Sequence, residues 1–187
     1  MLNWRKRKVP SLLLSTKYNK WMCSKPSWLR KGEIPADPIF GLRTQNNTMS
    51  VWLVDNNTAR IRQITVALSA KKQALQEFEY VLLDSKTVTD IGIKTLPTTG
   101  KSLDHELNKN HLDLIEISAQ KLLKLAKTVL EKVWQEDTSC INRIQRKTVA
   151  RYIIESICEG RIDSESVNPK VLTKAKQELG HSVSGSS

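Results

Sequence analysis

Between Ser50 and Asp84 the chain reads strand, helix, strand, and that order at that spacing admits few folds. Val51, Trp52 and Leu53 form a short apolar run with β-branched and aromatic weight, which suits a buried strand. Asp55, Asn56 and Asn57 break it, and Asp55 or Thr58 can cap a following helix by accepting from its first free N–H groups. Ile61, Ile64, Leu68 and Leu75 then recur at helical spacing, with Arg60, Arg62, Gln63, Lys71 and Lys72 on the other side. This is an amphipathic helix with one face to pack. Phe78, Tyr80, Val81, Leu82 and Leu83 make a second strand, apolar on both faces near its end, as expected of a sheet covered on both sides.

Strand–helix–strand at this spacing predicts a parallel pair joined by a right-handed crossover. A short polar connection, Ser85–Asp90, leads to a third strand expected in GIKTL, around Ile91, Ile93 and Leu96. The expected fold class is therefore α/β: a small, mainly parallel three-stranded sheet with a crossover helix, roughly residues 33–100. An α-helical half, roughly residues 101–180, is expected to continue it and share its core. Residues 1–32 read as a basic N-terminal arm and residues 181–187 as a flexible tail.

The arm carries the charge. Its 32 residues hold nine Lys or Arg and no Asp or Glu, out of a net charge of +11 for all 187 residues. Arg5, Lys6, Arg7, Lys8, Lys17, Lys20, Lys25, Arg30 and Lys31 are its cations, with Trp4, Tyr18, Trp21 and Trp28 between them. Cations neutralise phosphates and rings stack on unpaired bases, so the segment is a candidate nucleic-acid-binding arm. An anionic membrane or an acidic protein would attract the same charge. The half around Trp21 and Trp28 can equally be ordinary core covering the sheet.

Gly100-Lys101-Ser102 resembles the tail of a phosphate-binding loop and is the candidate nucleotide site. In such loops backbone N–H groups cradle phosphates and the Lys reaches the outer groups. The match is partial: Thr95 stands where the first glycine belongs, Pro97 removes an N–H, and the acidic residue after an apolar strand, Asp84, lies upstream. His105 and His111 are six apart, about 240° around a helix, so they do not converge as a metal pair would. Cys23, Cys140 and Cys158 show no paired spacing, which fits neither a disulfide framework nor a zinc site. No metal ligand, cofactor or catalytic residue is assigned.

From Asn110 to Trp134 a long helix is expected. Leu112, Ile115, Ala119, Leu122, Ala126, Val129 and Val133 alternate three and four apart, a seam that can pack against the sheet or form a homodimer through residues 112–133. A helix ending at Glu159 with Gly160 as its stop, and a last helix opened by Pro169, complete the pattern. Arg143, Arg146, Lys147 and Arg151 could meet phosphates there. Asp37-Pro38 reads as the start of one further helical turn.

No stretch approaches the roughly 20 apolar residues of a membrane span, and the SLLL run is shorter than a signal-peptide core. A cytoplasmic location is the resulting expectation. Three functions follow, in this order: a non-enzymatic binding or adaptor protein acting through a protein partner, a nucleic-acid-binding protein using the arm, and a small nucleotide- or metal-dependent enzyme.

Overall fold

The computed structural model describes residues 11–15, 42, 45–54, 58–135 and 141–180. Six strands form one sheet: β1 (Ser11–Ser15), β2 (Met49–Val54), β3 (Phe78–Asp84), β4 (Lys94–Pro97), β5 (His111–Ile115) and β6 (Ile141–Ile144). Their order across the sheet is β4-β5-β2-β1-β3-β6. Every neighbouring pair is antiparallel. Six helices complete the described fold: α1 (Thr58–Ser69), α2 (Ser85–Asp90), α3 (His105–Asn108), α4 (Ala119–Gln135), α5 (Arg146–Cys158) and α6 (Pro169–Glu178).

The expected parallel three-stranded sheet is thus overturned. β2 and β3 do run in the same direction, because each is antiparallel to β1. They share no ladder, since β1 lies between them, with Leu13 in register with both Trp52 and Leu82. β1 comes from the segment read as an arm. Apolar periodicity reports which residues face a core, but not which strand lies alongside, so a five-residue run 34 positions upstream left no trace in the β2–α1–β3 pattern.

Alternation along the strands builds two cores. On one face Trp52 and Val54 of β2 and Phe78 and Tyr80 of β3 pack under α1, α5 and α6, meeting Ile64, Val149, Ile153, Val171 and Ala175. On the other, Met49, Val51, Val81, Leu83 and Leu114 pack under α4, meeting Leu125, Ala126 and Val129. A sheet apolar on both faces needs cover on both, and the long apolar helix supplies one side of it.

The helical reading of the C-terminal half is corrected at two points, because β5 and β6 both lie within it. Residues 111–115 were expected to open the long helix. They alternate instead: Leu112 and Leu114 sit opposite Val51 and Met49, while His111 and Asp113 sit opposite Trp52 and Ser50. Glu116, at φ 57°, ends the strand in the left-handed region. The Ser118 hydroxyl then accepts from Lys121 N at 3.3 Å and starts α4. The seam proposed for a homodimer therefore straddles a strand and a helix. Its members Ala126 and Val129 are buried inside the chain, which leaves them unable to face a second copy.

Other local expectations meet the structure directly. α1 is shorter than expected, ending at Ser69, although Leu75 beyond it is still buried. The third strand begins later than expected, at Lys94. Gly160 takes φ 67° just after α5, the left-handed stop that a residue without Cβ allows. Pro169 occupies the first turn of α6, and the Asn168 side chain accepts from Lys170 N at 3.0 Å. Asn168 N donates to Ala70 O at 2.9 Å, tying the start of α6 to the end of α1. The helical turn expected at Asp37-Pro38 lies outside the described residues.

Candidate nucleic-acid interface

The arm cations, Arg5, Lys6, Arg7, Lys8, Lys17, Lys20, Lys25, Arg30 and Lys31, lie outside the described residues. What is described is the strand that splits them. At one end of β1, Ser11 is in register with Val54 and Asp84. At the other, Ser15 is in register with Tyr80, whose other neighbour is Asn142 of β6. The Arg5–Lys8 run precedes the first end, and Lys17 and Lys20 follow the second. The segment is anchored through its middle rather than hinged at one end.

Many cations of the folded body have carboxylate partners. Arg62 Nη2 lies 3.1 Å from Glu155 and 3.0 Å from Glu159. Arg146 pairs with Glu178 at 2.7 Å, and Arg161 with Glu159. Of the four C-terminal cations singled out in the sequence, Arg143 and Arg146 are committed in this way. Lys147 and Arg151 stay exposed, and α6 adds exposed Lys170, Lys174 and Lys176. These three lysines were missed because they flank the apolar positions Val171 and Ala175, which made them look like an ordinary solvated face.

Arg143 grips the most unusual side chain of the sheet. Glu79 of β3 is directly opposite it and is only 1% exposed. Glu79 Oε1 accepts from Arg143 Nε at 2.8 Å and Nη2 at 2.7 Å. Oε2 is buried and has no hydrogen-bond partner among the described residues. Burial pushes the Glu79 carboxyl above its ordinary range, Arg143 opposes that, and nearby Glu77 adds to it. Burial likewise raises the Tyr80 phenol, with Tyr152 adding to the effect. On the surface, the hydrogen bond from Lys109 and its charge lower Glu106. A glutamate in the strand FEYVLLD was visible in the sequence, and its isolation among apolar residues was the available signal.

The Gly100-Lys101-Ser102 turn closes on itself. Gly100 N donates to Asn108 O at 3.2 Å. Ser102 N and Oγ donate to Asn108 Oδ1 at 2.9 and 2.7 Å, and Asn108 Nδ2 donates back to Ser102 O at 3.2 Å. The two N–H groups that a phosphate would need are engaged with one buried asparagine. Gly100 is there for space: a Cβ would stand 2.7 Å from Asn108 Oδ1 and 2.9 Å from Trp52 Cη2. The helix that follows is capped by Asp104, which accepts from Leu107 N at 2.9 Å. The Ser102 hydroxyl also donates to Asp104 O at 3.2 Å.

His111 lies edge-on to Trp52, with ring centroids 4.8 Å apart. Its Nδ1 is 2.7 Å from Thr98 Oγ1. Asp113, two residues on, accepts from Ser50 Oγ at 3.0 Å. His105 is exposed at the start of α3. Among the described residues no group of three His, Cys, Asp or Glu side chains is placed to hold a metal ion. No described helix is long and apolar enough to cross a membrane. No family model matches the chain, no curated protein matches it, and no solved structure matches its fold.

Proposed function

We propose that the protein is a non-enzymatic binding protein that holds nucleic acid through the cationic segment of residues 1–32. The observation that carries the reading is the segregation of charge. Nine cations and no carboxylates occupy that segment, whereas the rest of the chain is nearly neutral. Ion pairing within the folded body, such as Arg62 with Glu155 and Arg146 with Glu178, adds to the contrast. Phosphates are the natural counter-charge for a cation cluster with no acid of its own, and interleaved Trp4, Tyr18, Trp21 and Trp28 offer rings to unpaired bases. The alternative of a homodimer through residues 112–133 loses its basis where Ala126 and Val129 are buried. The nucleotide-enzyme reading loses its basis where Asn108 engages the Gly100 and Ser102 amides.

The test is binding of the full chain to labelled single- and double-stranded DNA and RNA across a salt series. Neutralising four charges with R5Q/K6Q/R7Q/K8Q should lower the salt slope by about three to four, at roughly 0.9 per phosphate contact. Absence of binding by the full chain even at low salt would remove the reading.

A second reading, a protein partner, is favoured by one feature. β4 is an edge strand whose four residues are all exposed, with Leu96 48% exposed. An edge left unpaired by the described residues, with an apolar side chain on it, is what an added strand from another protein uses. Leu96→Lys should then abolish capture of that partner and leave nucleic-acid binding unchanged.

A further inference from the structure

We infer that the outer face of the α5–α6 hairpin is a second contact for the phosphate backbone of the same nucleic acid, centred on Lys147 and Arg151. The inference rests on the nucleic-acid reading above and extends it to residues outside the N-terminal segment.

Three observations converge. The first is placement. The 2.7 Å pair between Arg146 and Glu178 fixes the start of α5 beside the end of α6. The hairpin is therefore antiparallel, and Lys147 lies at the same end as Lys174 and Lys176. The buried residues of α5, Val149, Ala150, Ile153 and Ser156, leave Lys147 and Arg151 on its outward side, one turn apart.

The second is charge. The acids of the hairpin are used elsewhere: Glu155 and Glu159 hold Arg62 and Arg161, and Glu178 holds Arg146. Asp163 and Glu165 lie in the connection between the helices, away from this end. Lys147–Arg151 and Lys170–Lys174 are like-charge pairs at i,i+4, an arrangement that opposes helix formation. An anionic ligand reverses that sign. No ring is offered to bases: Tyr152 is half-buried, with Arg62 5.3 Å and Arg151 5.9 Å from its centroid. The face thus offers cations and no stacking platform among the described residues, which suits phosphates.

The third is continuity with the first site. β1 ends at Ser15, in register with Tyr80, and Tyr80 is in register with Asn142. Two strand spacings, about 10 Å, separate the end of β1 from the strand that runs directly into α5. β1 thus leaves the sheet at the end where β6 runs into α5, the end at which Lys147 begins the hairpin.

The test compares K147Q/R151Q with wild type and with R5Q/K6Q/R7Q/K8Q, using the full chain on labelled duplex and single-stranded probes over a salt series. Circular dichroism and urea midpoints check that each variant is folded. K147Q/R151Q should lower the salt slope by about two, K174Q/K176Q by a smaller step, and K124Q on α4, across the sheet, by nothing. Loss on the duplex alone would assign the hairpin to paired strands, and equal loss on both probes to the backbone in general; both support the inference. An unchanged slope in folded K147Q/R151Q, with R5Q/K6Q/R7Q/K8Q impaired, would overturn it and leave the function standing. If wild type binds neither probe at low salt, both fall together.

Discussion

Glu79 stands in an apolar strand with one carboxylate oxygen held by Arg143 and the other buried without a partner among the described residues. Its folded-state pKa lies above the ordinary 4.5. Below that value the group is protonated in both the folded and unfolded chain and contributes no pH dependence. As pH rises, the unfolded chain ionises first while the folded one keeps its proton, so stability falls until the pH passes the raised value. Glu79→Gln should therefore be the more stable protein at neutral pH, with the gap closing below pH 4.5, read from urea midpoints across pH. Arg143→Ala should do the opposite, leaving a buried carboxylate uncompensated at a cost of about 3 kcal/mol, the low end for broken pairs because Arg143 is partly exposed. At Gly100 the constraint is steric. Gly100→Ala drives a methyl into Asn108 and Trp52, both already fixed, and should destabilise by about 1–3 kcal/mol with an unchanged denaturant slope. At Gly100 the residue type misleads: a glycine before Lys-Ser suggests phosphate chemistry, while its neighbour in space, Asn108, lies eight positions on in α3.

The elements that sequence exposed well are those fixed by local signals. α6 is one: Asn168 caps it, Pro169 opens it and Val171 and Ala175 face inward. Asn168→Ala should lower stability by about 1 kcal/mol in thermal or urea unfolding, and more if the 2.9 Å bond from its backbone to Ala70 loosens. β5 shows the opposite case. Leu112 and Ile115 fit a three–four spacing continued backward from α4, while Leu112 and Leu114 fit a two-residue alternation. Five residues cannot separate those periods, and the left-handed Glu116 that divides them carries no sequence mark. β6 was hidden for a similar reason: four residues, INRI, abut a strong helix.

At the scale of the molecule, the decisive fact is that β1 fills the centre of the sheet. The charge segregation was fully legible in the sequence. The anchoring of that charge in the fold was not, because nothing local shows that SLLL pairs with strands that start 38 and 67 residues downstream of its own start. The practical result is that removing residues 1–31 is not a test of the arm. A chain beginning at Gly32 should lose cooperative urea unfolding altogether, whereas one beginning at Val9 should unfold cooperatively and lack only the Arg5–Lys8 charge. Leu13→Pro should behave like the longer deletion, since proline cannot donate within a central strand.

The same arrangement governs how the protein is made. Synthesis begins at the N-terminus, so the strand destined for the middle emerges first and finds nothing to pair with. One of its edges stays open until Val54 has been added, and the other until Asp84. Each closure is long-range, which slows folding and prolongs exposure of unpaired strand edges. In that interval like charges on both sides of SLLL would oppose its pairing with the same strand of another nascent chain. Charge beside the central strand would thus serve the assembly of the sheet, whatever partner the segment meets later.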